Sequence, residues 1–122
     1  MANHIIETQW MGKMQFNALI NGHTVMMDAP EKSGGEDNAP IPKPFVLAAL
    51  SGCTGMDIVA LLRKEQEKID EFDMAVTGEL SKQAPIQYIS MHIRYAFKGK
   101  QSLQEAALKA VTNSQEKYCG VS

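Results

Sequence analysis

The sequence predicts an α+β fold, and three of its features carry that expectation. Apolar residues recur with period two over Met14–Ile20, and again through Phe72, Met74 and Val76 and through Ile89–Phe97, which is the alternation of half-buried strands. A largely apolar stretch runs from Phe45 to Leu62, longer than a strand. A second helical pattern, apolar on one face only, follows Ser102. The order is strands, long helix, strands, helix.

Each element has its own local cause. A first strand is expected over about Ile5–Trp10. Met14, Phe16, Ala18 and Ile20 then form one face of a second strand. Asn21-Gly22 accepts positive φ at both central positions of a type I′ hairpin, so His23–Asp28 is the return strand. Pro30–Pro44 holds four of the five prolines and Gly34-Gly35, so it is expected to be a long loop. The helix from Phe45 is apolar on every side up to Leu62, and Arg63–Lys68 is its solvated end. Gly52 and Gly55 within it predict a close crossing with another backbone near Cys53.

Phe72, Met74 and Val76 face inward on the next strand. Ile89, Met91, Ile93, Tyr95 and Phe97 do so on its partner, with Tyr88, Ser90, His92 and Arg94 opposite. Lys98-Gly99-Lys100 turns the chain. Ser102 and Glu105 have the spacing of a capping box. Leu103, Ala106, Ala107, Ala110, Val111 and Ser114 form the buried face of the last helix, and Gly120 is placed to end it.

The 122 residues are read as a single domain, 1–122. Net charge is −2 with Lys and Arg scattered, which gives no footprint for nucleic acid. No secretory leader is visible and no run reaches the roughly 20 apolar residues that span a bilayer, so no membrane association is expected. Two cysteines are too few for a disulfide scaffold, which points to a reducing, cytoplasmic setting. His4, His23 and His92 lack metal spacing with either cysteine, so neither a metal nor another cofactor is expected.

A helix apolar on all sides needs cover on all sides. One small sheet covers only one, so a homodimer with the two Cys53 helices packed centrally is expected. Asp57, one turn after Cys53, is then a buried carboxylate paired at that interface. Cys53 and Cys119 lie 66 residues apart. A buried cysteine behaves as a small hydrophobe. A pair of them is also a candidate redox couple.

The segment Pro42-Lys43-Pro44-Phe45-Val46-Leu47-Ala48-Ala49-Leu50-Ser51-Gly52-Cys53-Thr54-Gly55-Met56-Asp57 resembles the OsmC/Ohr family of thiol-dependent hydroperoxide reductases. So does Ala110-Val111-Thr112-Asn113-Ser114-Gln115-Glu116-Lys117-Tyr118-Cys119, which is similar to the family's second-cysteine segment. Trp10-Met11-Gly12 and the Gly34-Gly35 loop also fit. The resemblance implies an intertwined α+β homodimer with the cysteine helices at its centre. It implies that Cys53 is the peroxidatic cysteine and Cys119 the resolving one. It further implies an organic hydroperoxide as substrate and a dithiol as reductant.

The family activates its cysteine with an arginine held by a glutamate. This chain has no arginine before Arg63, and Lys43 and Pro44 stand where the glutamate is expected. Lys13 or Lys32 is the candidate source of charge, and Glu31 or Glu36 the candidate carboxylate. Two functions therefore stand side by side. One is a thiol peroxidase. The other is a non-catalytic dimer of the same fold that binds a small apolar ligand, or senses oxidants slowly, beside Cys53.

Overall fold

The computed structural model describes residues 3–114. The chain divides into two compact units, one ending at Phe45 and one beginning at Val46.

The first unit is an antiparallel meander of β1 (Glu7–Trp10), β2 (Phe16–Ile20) and β3 (His23–Met27), with β2 in the middle. Trp10 pairs with Phe16 across the first hairpin, and Ile20 with His23 across the second. Asn21 and Gly22 both have positive φ, 49° and 81°, as the type I′ turn requires. The face predicted from Met14 to Ile20 is buried only at Ala18, 3% exposed, while Met14, Phe16 and Ile20 stay exposed.

The proline-rich loop is ordered by Asp28, which is 3% exposed. Its carboxylate accepts backbone N–H bonds from Ala29 at 2.7 Å, Asn38 at 3.1 Å and Glu36 at 3.3 Å. A one-turn 3₁₀ helix, Glu31–Ser33, lies inside the loop. At Gly35 a side chain would run into the Ala29 carbonyl and the Asp28 carboxylate, so only glycine lets the loop close over the acid.

The second unit holds α1 (Phe45–Lys64), the hairpin of β4 (Ile69–Leu80) and β5 (Tyr88–Gly99), and α2 (Ser102–Asn113). Its core joins Ile58 and Leu62 of α1 to Leu103, Ala107 and Ala110 of α2, over Phe72, Tyr95 and Phe97 of the hairpin. Phe72 and Phe97 are cross-strand partners and stack with ring centroids 4.3 Å apart. The predicted α2 face is the observed one: Leu103, Ala107, Ala110 and Ser114 are buried. Past α1, Gln66 takes left-handed φ of 59°, and the Glu67 N–H reaches back to the Leu62 carbonyl. These bonds close the helix end in the Schellman pattern.

Three expectations need correction: the absence of a helix long enough to cross a bilayer, the alternation of β5 and the Ser102 cap. Within the protomer, helix α1 is buried along one stripe, through Leu50, Thr54, Gly55, Ile58 and Leu62, while Val46 and Met56 are 47% and 76% exposed. Its 20 residues are long and apolar enough to cross a bilayer, which the sequence was not expected to offer, and only 28% of that apolar window is buried in the protomer. The stripe that packs on α2 and the hairpin gives it the role of a core helix in this unit.

The glycines of α1 also behave differently from each other. A methyl at Gly55 would meet the Met74 side-chain methyl at 2.7 Å, whereas nothing lies within 4 Å of one at Gly52. Within the protomer, the close neighbour at Gly55 is a side chain.

On β5 a register shift between Glu79 and Leu80 places Tyr88 opposite Leu80 and Ser90 opposite Glu79. The extra residue reverses the alternation. Tyr88 thus turns inward against Gly78, while Ile89 is 59% exposed. Met91 keeps its predicted parity and is nonetheless 44% exposed.

Finally, Ser102 is not a cap. Gln101 occupies that position with helical φ and ψ and no side-chain cap bond, and the Ser102 hydroxyl donates to Glu67 Oε2 at 3.1 Å. The Leu103 and Gln104 amides bond to Lys100 and Gln101 carbonyls, so the helix start leaves Ser102 inside its first turn. Gly120 lies outside the described residues.

Two outcomes are expected. The Asp28 pKa is held below the usual carboxylate value, chiefly by the Ala29 N–H, then by Asn38, against a raising effect of burial. A carboxylate with a lowered folded pKa contributes stability above its unfolded pKa and loses it as pH falls through the folded value. Asp28→Asn should therefore loosen the loop at pH 7, and the difference should begin to shrink below about pH 4 and vanish only below the lowered folded value. Amide exchange at Glu36 and Asn38 at both pH values measures this. At Gly78, an added methyl would meet the Tyr88 ring at 2.6 Å and Leu47 at 3.1 Å. Overpacking against a rigid ring outweighs the gain in strand propensity. Gly78→Ala should cost about 1–3 kcal/mol in urea unfolding.

Candidate functional site

Cys53 is the ninth residue of α1 and is half-buried. In a helix its face is shared with residues three and four away, here Ala49, the buried Leu50, Met56 and Asp57. Ala49 and Met56 are exposed and Asp57 is half-buried. Cys53 therefore sits on the border between the bare side of α1 and the side that turns towards α2. The neighbouring groove, about 500 Å³, is lined by Gly52, Gly55, Met56 and Val59 of α1 and by Phe72 and Met74 of β4, with Arg63 at one end. Cys53 borders this groove through Gly52 and Met56 and does not line it.

The helix itself does little to favour a thiolate. The positive end of a helix acts within its first turn, and Cys53 lies two turns in. The nearest charge along α1 is the carboxylate of Asp57, one turn away, and a like charge disfavours a second anion. Arg63 lies ten residues on, about 15 Å along the axis. A cation that lowers the thiol pKa must come from elsewhere than the first two turns of α1 around Cys53.

The predicted activating residues all belong to the first unit. Lys13, in left-handed conformation at φ 48°, follows Gly12 in the first hairpin. The Trp10 indole N–H donates to its carbonyl at 2.8 Å and holds the turn. Lys13 Nζ lies 3.8 Å from Glu36 Oε2, with both side chains largely exposed. Glu36 is placed by its amide bond to Asp28, whose carboxylate also feels the Lys13 charge. The fold thus brings Lys13 and Glu36 together, while Glu31 and Lys32 sit exposed on the 3₁₀ turn. Cys119 lies outside the described residues.

Asp57 meets Ser114 at the far end of α2. The fully buried Ser114 hydroxyl donates to Asp57 Oδ2 at 3.4 Å. The sequence marks Ser114 as the last residue of a buried stripe, but a hydroxyl ending an apolar stripe is the only hint of this bond. Asp28 is missed altogether. Its signal is an aspartate closing a strand before a proline- and glycine-rich loop, where a side-chain carboxylate can gather loop amides. Among the described residues no cluster of His, Cys, Asp and Glu could hold a metal ion.

Residues 34–122 match the family described as OsmC-like protein. Protein YhfA of Escherichia coli is 32% identical over 93% of this chain and 82% of its own length. A protein of Aquifex aeolicus superposes with a TM-score of 0.82 at 22% identity, over 99% of this chain and 85% of that one. A Legionella pneumophila protein described as an organic hydroperoxide resistance protein OsmC gives 0.65 at 15% identity, over 98% of this chain and 86% of that one. The mixed architecture, with antiparallel strands and two helices, is the OsmC-like fold, and this chain belongs to the OsmC-like protein family.

Proposed function

We propose that this chain reduces organic hydroperoxides through Cys53, with Cys119 as the resolving cysteine, as a cytoplasmic homodimer. The observation that carries this is the placement of a half-buried cysteine at the edge of a mainly apolar groove between α1 and β4. Family membership and the hydroperoxide-resistance description of a protein of the same fold support it. The Cys53 thiolate attacks one peroxide oxygen. The O–O bond breaks, an alcohol leaves with the proton, and Cys53 becomes a sulfenic acid. The Cys119 thiol then displaces water to form a disulfide, and a dithiol reductant restores both thiols while it is oxidised. The Lys13–Glu36 pair takes the part of the family's arginine and glutamate, though an ammonium lacks the planar fork of a guanidinium.

The electrostatics of α1 favour a second reading. With a carboxylate one turn away and no cation on its first turns, Cys53 suits a slow oxidant sensor or a binder of small apolar molecules. The two readings separate on rate. Mass spectrometry of Cys53 treated with cumene hydroperoxide or hydrogen peroxide should show much faster oxidation by the organic peroxide. Lys13→Met should raise the thiol pKa by about one unit or more, and so slow alkylation at pH 7 about tenfold. A parent thiol pKa near 8.5, with no response to Lys13→Met, would leave only the second reading.

The dimer is proposed to close over the bare side of α1, where Val46 and Met56 are exposed and Gly52 has open space. Because that space is empty in the protomer, Gly52→Leu should leave the protomer folded and drive it to a monomer. Sedimentation at micromolar concentration, with circular dichroism as the check on folding, tests this.

A further inference from the structure

The groove between α1 and β4 is lined by two thioethers in different surroundings. Met56 of α1 is 76% exposed, whereas Met74 of β4 is half-buried. The terminal methyl of Met74 fills the notch at Gly55, 2.7 Å from the point a side-chain carbon there would occupy, with the sulfur 3.9 Å from the same point. The Phe72 ring closes another side of that point at 4.0 Å. Gly55 is itself buried, so the Met74 methyl is what seals α1 onto β4 at this level. Met74 is thus at once part of a packed seam and part of the wall of an open groove of about 500 Å³.

We propose that Met74 is a site of reversible oxidation by organic hydroperoxides entering this groove, and that its sulfoxide loosens the seam between α1 and β4. A sulfur lone pair attacks the terminal peroxide oxygen. The O–O bond breaks, and the hydroperoxide proton leaves with the alkoxide as an alcohol. The sulfur keeps the oxygen and is oxidised by two electrons, and the peroxide is reduced by two. No thiol takes part, so the step is independent of the fate of Cys53 and requires only that an organic hydroperoxide reach the groove. The product is polar where the thioether was apolar. Gly55 and Phe72 offer no side-chain donor to the new oxygen, and a polar group left there without a partner is costly. The sulfoxide therefore turns out into the open groove, where water and the Arg63 guanidinium are available, and withdraws its methyl from the notch. The vacated notch is a cavity in the seam, and cavities destabilise.

Other methionines of the chain supply the controls. Met91 of β5 is 44% exposed and does not line the groove, and Met56 lines it but stands largely in solvent. The full chain carrying Cys53→Ser and Cys119→Ser, which removes thiol chemistry, is treated at pH 7 with cumene hydroperoxide or hydrogen peroxide. Sulfoxide at each methionine is followed by peptide mass spectrometry and stability by thermal melts. The ratio of Met74 to Met91 oxidation should be about threefold or more higher with the organic peroxide, because an apolar groove concentrates it. Conversion of Met74 should lower the melting temperature by about 5 °C or more. Met74→Leu keeps an apolar side chain of similar size without the sulfur and should fold and show no peroxide-dependent fall. Met56→Leu should show the full fall. Methionine sulfoxide reductases with a dithiol should restore the melt. If the cysteine-free chain does not fold, the parent and its Met74→Leu variant carry the same measurements, since thiol oxidation is common to both. An equal Met74 to Met91 ratio with the two peroxides overturns the proposal. So does Met74 sulfoxide with an unchanged melt, a fall that persists in Met74→Leu, or a fall that the reductases do not reverse.

Discussion

The structure of the second unit depends on one packing constraint, the antiparallel seating of α2 on α1. The residues in contact are mostly small on the α2 side, Ala107 and Ala110, and large on the α1 side, Ile58 and Leu62. Alanines let the helix axes approach, and the larger side chains fill the space between them. Burying these side chains is worth about 1.5–3 kcal/mol for each large one. The hairpin is then held beneath, with Phe72 and Phe97 stacked under the pair. Once α1 spends its buried stripe on this contact, its opposite side is left bare. The exposure of Met56 and the position of Cys53 at the edge of that bare side are consequences of the same rotation of the helix.

That rotation also frames the chemistry. Cys53 lies two turns into its helix, beyond the first turn where the positive helix end acts, with a carboxylate on the next turn. In the other unit a buried acid organises a pair of charges of its own. Asp28 gathers three loop amides, the loop carries Glu36, and Glu36 meets Lys13. An exposed lysine–glutamate pair contributes little to stability.

Features written in short stretches of sequence were legible. The Asn21-Gly22 turn, the α1 helix and the apolar face of α2 follow from local chemistry and periodicity, and the structure has all three. Features that depend on pairing between distant residues were not. Ser102 has the spacing of a cap, yet its hydroxyl is drawn to Glu67, 35 residues away in sequence. The bulge before Ser90 shifts one residue of register, and nothing in the alternation of β5 announces it. At the candidate site, the sequence named both Lys13 and Glu36 but not their pairing, which exists only because Asp28 folds the loop back. Asp57 was expected as a buried carboxylate paired across a dimer; in the protomer it is half-buried and accepts a bond from Ser114 of the same chain.

The notch at Gly55 is filled by the terminal methyl of Met74, at a distance that leaves no room for another carbon. Positions 55 and 74 therefore share one volume across the boundary between helix and strand. A methyl group can be moved from one to the other, but not added to one alone. Drift at these sites should occur in compensating steps, with the effects of single changes failing to sum. The line along which α1 meets the sheet is then adjustable in shape while fixed in total size.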